Sequence, residues 1–358
     1  QDDDPSVICY DGSITLVASA TEGGSGPEFE YQWQKRTSEN DPWQDYGASV
    51  ITDEDPSLEI PSLNESSEFR LIAFDRGSPF CGSVFSSNTL TVVVQDYIDP
   101  ASLYPYSQTI CSGATPEEII TDTSPYRGGN ISYRWEKSTD DGNTWTDIPG
   151  ETGETYSPGP LTQTTRYRRI TISTVDGVDC ESAPSSYVIV LVEEPPVASA
   201  GGSETICVDG SATVSGASAE NGDISWTHNG TGTLTDETTL TPTYTPGVND
   251  AGNTVILTMT VTSDNACYPD TDQAAYSVHV DPLPVATAGG SSTVCETGSV
   301  TVSGASAENG TILWTHDGAG TLTNDTSLEP TYNVHSDDIG KTVILTLTVT
   351  SNNTCGTA

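Results

Sequence analysis

A chain of 358 residues is too long for one β-sandwich and, at roughly 100 residues per all-β module, points to three or four. Its 51 acids against 11 bases give a formal net charge of −40, and residues 196–283 contain no Lys or Arg, which argues against nucleic acid and anionic membranes as partners. No run of 18 apolar residues exists, which argues against direct membrane insertion.

The opening Gln1-Asp2-Asp3-Asp4-Pro5 reads as a mature end left by signal removal. Phe29-Glu30-Tyr31-Gln32-Trp33-Gln34 alternates with its aromatic residues on one face, and Phe69, Leu71 and Ala73 do the same in a later strand. Thr89 through Val94 closes this first unit. Ile131, Tyr133 and Trp135 repeat the aromatic pattern, and Tyr187 through Val192 closes the second unit. Val255–Val261, Ala274–Val280 and Val343–Val349 are the strong strands of the remaining sequence. No window has helical periodicity. Strands every 8–12 residues with Gly, Asn and Asp turns between them indicate sandwiches. Trp33, Trp135, Trp226 and Trp314 are the expected core tryptophans, one per sandwich.

Eight cysteines, Cys9, Cys81, Cys111, Cys180, Cys207, Cys267, Cys295 and Cys355, enclose separations of 72, 69, 60 and 60 residues when taken two by two, with no zinc spacing among them. Internal repeats order them. Cys207, Trp226 and Cys267 recur 88 residues later as Cys295, Trp314 and Cys355, and segments 201–267 and 289–355 are about two-thirds identical. Cys9, Trp33 and Trp43 recur 102 residues later as Cys111, Trp135 and Trp145. Each unit owns two cysteines, so the simplest expectation is one disulfide per unit: Cys9–Cys81, Cys111–Cys180, Cys207–Cys267 and Cys295–Cys355. Such bonds persist in oxidising compartments, which implies a secreted, extracellular or cell-surface location. The expected domains are 1–98, 99–195, 196–283 and 284–358, separated by short acidic Pro-containing links that favour an extended rod. The fourth unit stops three residues after Cys355, so its last strand is absent and the edge beside Val343–Val349 is expected to lie open. The expected fold class is all-β, as tandem immunoglobulin-like sandwiches.

Tyr133-x-Trp135-x-Lys137, Asp141 through Ile148, Tyr156-Ser157-Pro158 and Thr165 through Arg169 resemble the Ig-like modules of large secreted Bacteroidota proteins. The 88-residue units, with Ala-Gly-Gly-Ser, Thr-Val-Ser-Gly-Ala and Ile-x-Trp-Thr-His, resemble the tandem repeats of gliding-motility surface adhesins of that group. The resemblance implies type IX secretion and a role as an extracellular adhesin or filament-forming surface protein. Its partners would be a surface glycan, a protein, or other copies of the chain. The alternative is a non-catalytic accessory or carbohydrate-binding region of a larger secreted enzyme. One departure from antibody domains is that Trp follows the first Cys by 24 or 19 residues, which suggests a peripheral staple.

Catalytic chemistry is not expected. His228 and His316 are repeat equivalents without a nucleophile motif, and no carboxylate pair has a defensible dyad spacing. Ser138-x-Asp140-x-Gly142-x-Thr144-Trp145 fits an Asp-box turn, and Asp250 and Asp338 fit bracing residues before a strand. Calcium is the one cofactor weighed: Asp2–Asp4 and Asp53 with Asp55 supply hard oxygen ligands, without an EF-hand or cadherin-type motif. Arg127, Arg134, Arg166, Arg168 and Arg169 concentrate positive charge in the second unit and form a candidate docking patch for an acidic neighbour.

Overall fold

The computed structural model describes all residues except 1–4, 20–28, 53, 77–83 and 124–128, together with the side chains of 84–86. It is almost wholly strand and turn. The described helical turns are single 3-10 turns at Val248–Asp250 and Ser336–Asp338. The chain divides into two compact units, Gln1–Val192 and Glu193–Ala358. Each contains two clusters of buried residues, one around each of the expected tryptophans. We call these four cores and their strands modules one to four.

In module one the main sheet runs Ser6–Ile8, Leu90–Val94, Ser67–Asp75, Phe29–Arg36, Gln44–Asp45, faced by Gly12–Val17 paired with Ser57–Leu63. The alternation read from sequence is what buries Phe29, Tyr31 and Trp33 against Phe69, Leu71 and Ala73. Module two repeats the order with Ser107–Cys111, Val188–Glu193, Thr165–Val175, Asn130–Ser138 and Thr146–Asp147.

Module three shows how a complete repeat closes. Its main sheet is Ser203–Cys207, Thr271–Asp281, Thr254–Ser263, Gly222–His228, faced by Ala212–Thr213, Thr243–Thr245 and Thr233–Thr235. The first strand lies parallel to the last, with Cys207 opposite Asp281. Modules one and three share this parallel start, since Ser6–Ile8 also runs parallel to Leu90–Val94.

Module four keeps the facing strands Ser299–Thr301, Thr331–Asn333 and Thr321–Thr323, but its main sheet is reduced to Gly310–His316 paired with Leu345–Ser351. The strand begins at Leu345, two residues after the expected Val343. A return strand is only started: Thr357 bridges Thr350, and Ala358 exchanges both backbone hydrogen bonds with Val349 at 2.9 Å. Where module three packs Tyr276, Val278 and Val280, module four has a cavity of about 570 Å³ lined by Val302, Trp314, Tyr332, Val343 and Leu345.

Candidate functional site

Cys9–Cys180 and Cys207–Cys355 lie at joints between modules. Cys9 at the end of module one's first strand is bonded to Cys180 of module two, and Cys207 of module three is bonded to Cys355 of module four, each with Cα atoms 5.4 Å apart. Both bonds correct the expectation of one staple per module: Cys9–Cys81, Cys111–Cys180, Cys207–Cys267 and Cys295–Cys355 are not formed. The reason is position. The first cysteine sits where its strand ends, as Cys207 does opposite Asp281 at the end of the module's last strand, and its sulfur bonds to the module that follows. Cys111 and Cys267 are disulfide-bonded as well, whereas Cys295, expected in a bond, is an exposed free thiol. Cys81 lies outside the described residues.

Asparagines bind the backbone of the links that precede modules three and four. Asn353 Nδ2 donates to Pro282 O at 3.3 Å, and its Oδ1 accepts from Cys355 N at 2.9 Å and from the Ser351 hydroxyl. The same Ser-x-Asn-x-Cys turn occurs one repeat earlier. There Asn265 accepts from Ser263 Oγ at 2.7 Å and Cys267 N at 2.8 Å and donates to Glu194 O at 3.0 Å. A second asparagine reaches the links from the Ala-Glu-Asn-Gly turns: Asn221 donates to Pro195 O and Asn309 to Leu283 O, both at 2.9 Å. These asparagines hold φ of 60° and 59°, a conformation Asn tolerates better than most residues, and a Cβ on the following Gly222 would collide with Thr262 O. In the first unit Gln95 Nε2 donates to Val178 O at 2.9 Å beside the Cys9–Cys180 bond. The asparagine roles were missed in the sequence, although both turns are repeated at the 88-residue period.

Three carboxylates brace loops as the sequence suggested. Asp140 accepts from Thr144 N at 2.9 Å, Thr144 Oγ1 at 2.6 Å and Ser138 Oγ at 2.7 Å, and these bonds, Thr144's foremost, hold its carboxyl at about 2. Asp250, 4% exposed, accepts from Tyr244 Oη at 2.7 Å, Thr231 N at 2.8 Å and Gly247 N at 2.7 Å. Burial alone would raise its carboxyl, but those bonds outweigh burial and set it at about 2, while burial and the bond to Asp250 push Tyr244 up to about 12. Asp338 repeats the arrangement with Ala319 N and Tyr332 Oη and also stands at about 2. Because each folded value lies below the ordinary 3.8, the stabilisation is complete above pH 4 and is lost as pH falls toward 2. Asp250→Ala strands the Tyr244 hydroxyl and two amides, and should cost module three about 2–3 kcal/mol at neutral pH. Denaturant melts at pH 7 and pH 2.5 check this: the gap between wild type and variant should narrow in acid, and a constant gap would contradict the pairing.

The cationic patch does not assemble. Arg169 is fully buried, its guanidinium 4.2 Å over the Tyr133 ring, bonded to Thr121 Oγ1 at 2.7 Å and to Glu154 O; burial lowers its pKa. It belongs to the core, which corrects its place in a docking surface. Arg134 pairs with Glu181 at 2.5 Å, and Arg168 pairs with Glu136 at 2.5 Å while stacking on Trp145. Arg166 pairs with Asp141 and stacks on Tyr187. Local acids and aromatic faces therefore occupy Arg134, Arg166 and Arg168, and Arg127 lies outside the described residues. Arg166 and Arg168 do share one face and Tyr167 and Arg169 the other, as the strand period requires.

Asp2–Asp4 and Asp53 lie outside the described residues, and Asp55 stands in the loop before Ser57–Leu63. Among the described residues no cluster of three or more His, Cys, Asp or Glu side chains forms. His228 and His316 pack against Tyr244 and Tyr332, ring centroids 5.0 Å apart. No helix among the described residues is long and apolar enough to cross a membrane.

A family described as Domain of unknown function (DUF8696) matches residues 101–194, the second module. No curated protein matches the chain. Among solved structures, a marsupial T cell receptor is 11% identical over 76% of this chain and 97% of its own, with a TM-score of 0.39. Drosophila N-cadherin EC1-4 is 12% identical over 97% and 96%, with a TM-score of 0.33. Fibronectin(III)-like modules of Clostridium thermocellum CbhA are 15% identical over 53% and 90%, with a TM-score of 0.28. All three scores are low, so the tandem Ig-like architecture rests on the strands and cores described above.

Proposed function

We propose that the chain is a load-bearing extracellular adhesin or filament-forming surface protein with a structural and binding role and no catalytic one. The observation that carries this reading is that Cys9–Cys180 and Cys207–Cys355 join neighbouring modules. A bond inside a module protects that module alone, whereas a bond across a joint fixes the geometry of the joint and passes tension from one module to the next. That is of use to a tether and of little use to a passive spacer. The oxidised state it requires fits a secreted protein. The resemblance of the 88-residue repeats to gliding adhesins supports type IX export, the four domains 1–98, 99–195, 196–283 and 284–358, and partners drawn from surface glycans, proteins or other copies.

Cells of the source organism lacking the chain should attach poorly to glass or glycan-coated surfaces, and the purified oxidised chain should compete with wild-type cells for those surfaces. Unchanged attachment, with the chain recovered bound to a secreted hydrolase, would overturn this reading in favour of an accessory region.

A further inference from the structure

Arg169 occupies a place that module one gives to an apolar residue. In the main sheet of module one, Leu71 stands opposite Trp33 and Ala73 opposite Tyr31. The matching pairs of module two are Arg169 with Trp135 and Thr171 with Tyr133. Arg169 and Thr171 are both 0% exposed, so the exchange puts a guanidinium and a hydroxyl inside the sandwich. A guanidinium does not lose its proton in a protein, and a buried charge is costly unless it is paired.

This guanidinium is held but not paired. Its Nη1 donates to Thr121 Oγ1 at 2.7 Å and to Glu154 O, both uncharged acceptors, and its face lies 4.2 Å from the centre of the Tyr133 ring. The other described arginines of module two, Arg134, Arg166 and Arg168, pair with Glu181, Asp141 and Glu136, whereas no carboxylate among the described residues pairs with Arg169. Its Nε and Nη2 are buried without a hydrogen-bond partner among the described residues, and so is Thr171 Oγ1. Those two nitrogens form one edge of the guanidinium, the edge whose parallel N–H bonds match the two oxygens of a carboxylate. Tyr133 is the cross-strand partner of Thr171, so a guanidinium over the Tyr133 ring lies on the same inner face as the Thr171 hydroxyl and beside it.

We propose that this edge and the Thr171 hydroxyl bind a small planar monovalent oxyanion, of the formate, bicarbonate or nitrate class, as a structural ligand inside module two. Two of its oxygens accept from Nε and Nη2, and the Thr171 hydroxyl donates to it as well. One negative charge balances the guanidinium, and the ligand is small because the atoms that meet it are fully buried. Such an anion binds the folded module and not the unfolded chain, so it stabilises module two in proportion to its concentration. The inference does not depend on what the chain adheres to.

The test is hydrogen exchange on the full oxidised chain, dialysed exhaustively into sodium methanesulfonate and then compared in sodium formate at the same ionic strength. Methanesulfonate carries the same charge but is neither planar nor as small. At ~100 times its dissociation constant, formate should slow exchange of the amides of Thr165–Val175 about a hundredfold, and nitrate should act alike. Amides of Phe29–Arg36 in module one should not respond. Arg169→Leu, which copies module one, should abolish the dependence on formate. Thr171→Val keeps the guanidinium and should raise the formate concentration required by about tenfold, so a failure of Arg169→Leu to fold leaves the idea testable. Equal exchange of Thr165–Val175 in the two salts would overturn the proposal. So would a formate effect that survives Arg169→Leu, or a chloride effect as large as that of formate, because a spherical ion has no pair of oxygens for the two N–H groups.

Discussion

Pulled from its two ends, the oxidised chain should lengthen far less than the reduced one. Cys9 and Cys180 are 171 residues apart and Cys207 and Cys355 are 148 apart, so each cystine removes the intervening chain from the path of tension. At ~3.3–3.6 Å per extended residue, these stretches amount to about 600 Å and about 500 Å, less the length of the folded modules they contain. Single-molecule force spectroscopy with and without reductant should show the difference as missing unfolding steps under oxidising conditions. Cys9→Ser should release part of the first increment without reductant, since Cys111 within that stretch is itself disulfide-bonded. Far-UV circular dichroism should change little on reduction, because the four cores lie within modules and not at the joints. Equal extension with and without reductant would mean that the cystines do not span joints in solution, and the load-bearing reading would fall with them. The stabilisation they give against unfolding is a separate matter, about 5 kcal/mol for loops of this length in the chain-entropy model.

How much of this was legible in the sequence follows from the range over which each signal acts. Strands such as Phe29–Arg36 and Thr254–Ser263 were readable because alternation is local, and a buried face imposes it residue by residue. Asp140 was readable for the same reason, since its carboxylate bonds to residues within four positions of itself, whereas Asp250 and Asp338 also reach Thr231 and Ala319, far back in the chain. The cystines were not, because the repeat counts cysteines per unit without saying which way a side chain at the end of a strand points. Cys207 ends its strand beside Asp281, at the exit of the module, and that placement depends on a parallel pairing about 70 residues away in sequence. Arg169 misled in another way. Its position in a run of arginines suggested a surface, but strand phase puts it on the same side as Tyr167, inside. The period sets Arg169 beside Tyr167, and that phase, not the charge, decides its burial.

Trp226→Ala should be the most damaging single change in module three. The indole is 3% exposed in the cluster with Tyr244, Leu257 and Met259, and its Nε1 donates to Thr239 O at 2.9 Å. Truncation leaves a cavity among residues that cannot collapse around it and also strands that carbonyl, so about 3–5 kcal/mol is expected. The equivalent indoles Trp135 and Trp314 make the same kind of bond, to Gly153 O and Ser327 O, whereas Trp33 Nε1 in module one is buried without a partner among the described residues. Because Cys207–Cys355 holds module three to module four, a global melt would blur the effect, and hydrogen exchange on the full chain is the better measurement. Amides of Thr254–Ser263, the strand opposite Trp226, should exchange roughly a hundred- to several-thousandfold faster in the variant, since 1.4 kcal/mol corresponds to about tenfold. Those of Phe29–Arg36 in module one should keep their wild-type rates, because that strand packs in a separate core. Trp226→Phe separates the two causes: it retains most of the volume and loses the bond to Thr239, so it should cost about 1–2 kcal/mol. Wild-type protection of Thr254–Ser263 in the alanine variant would show that Trp226 is not what holds this core together.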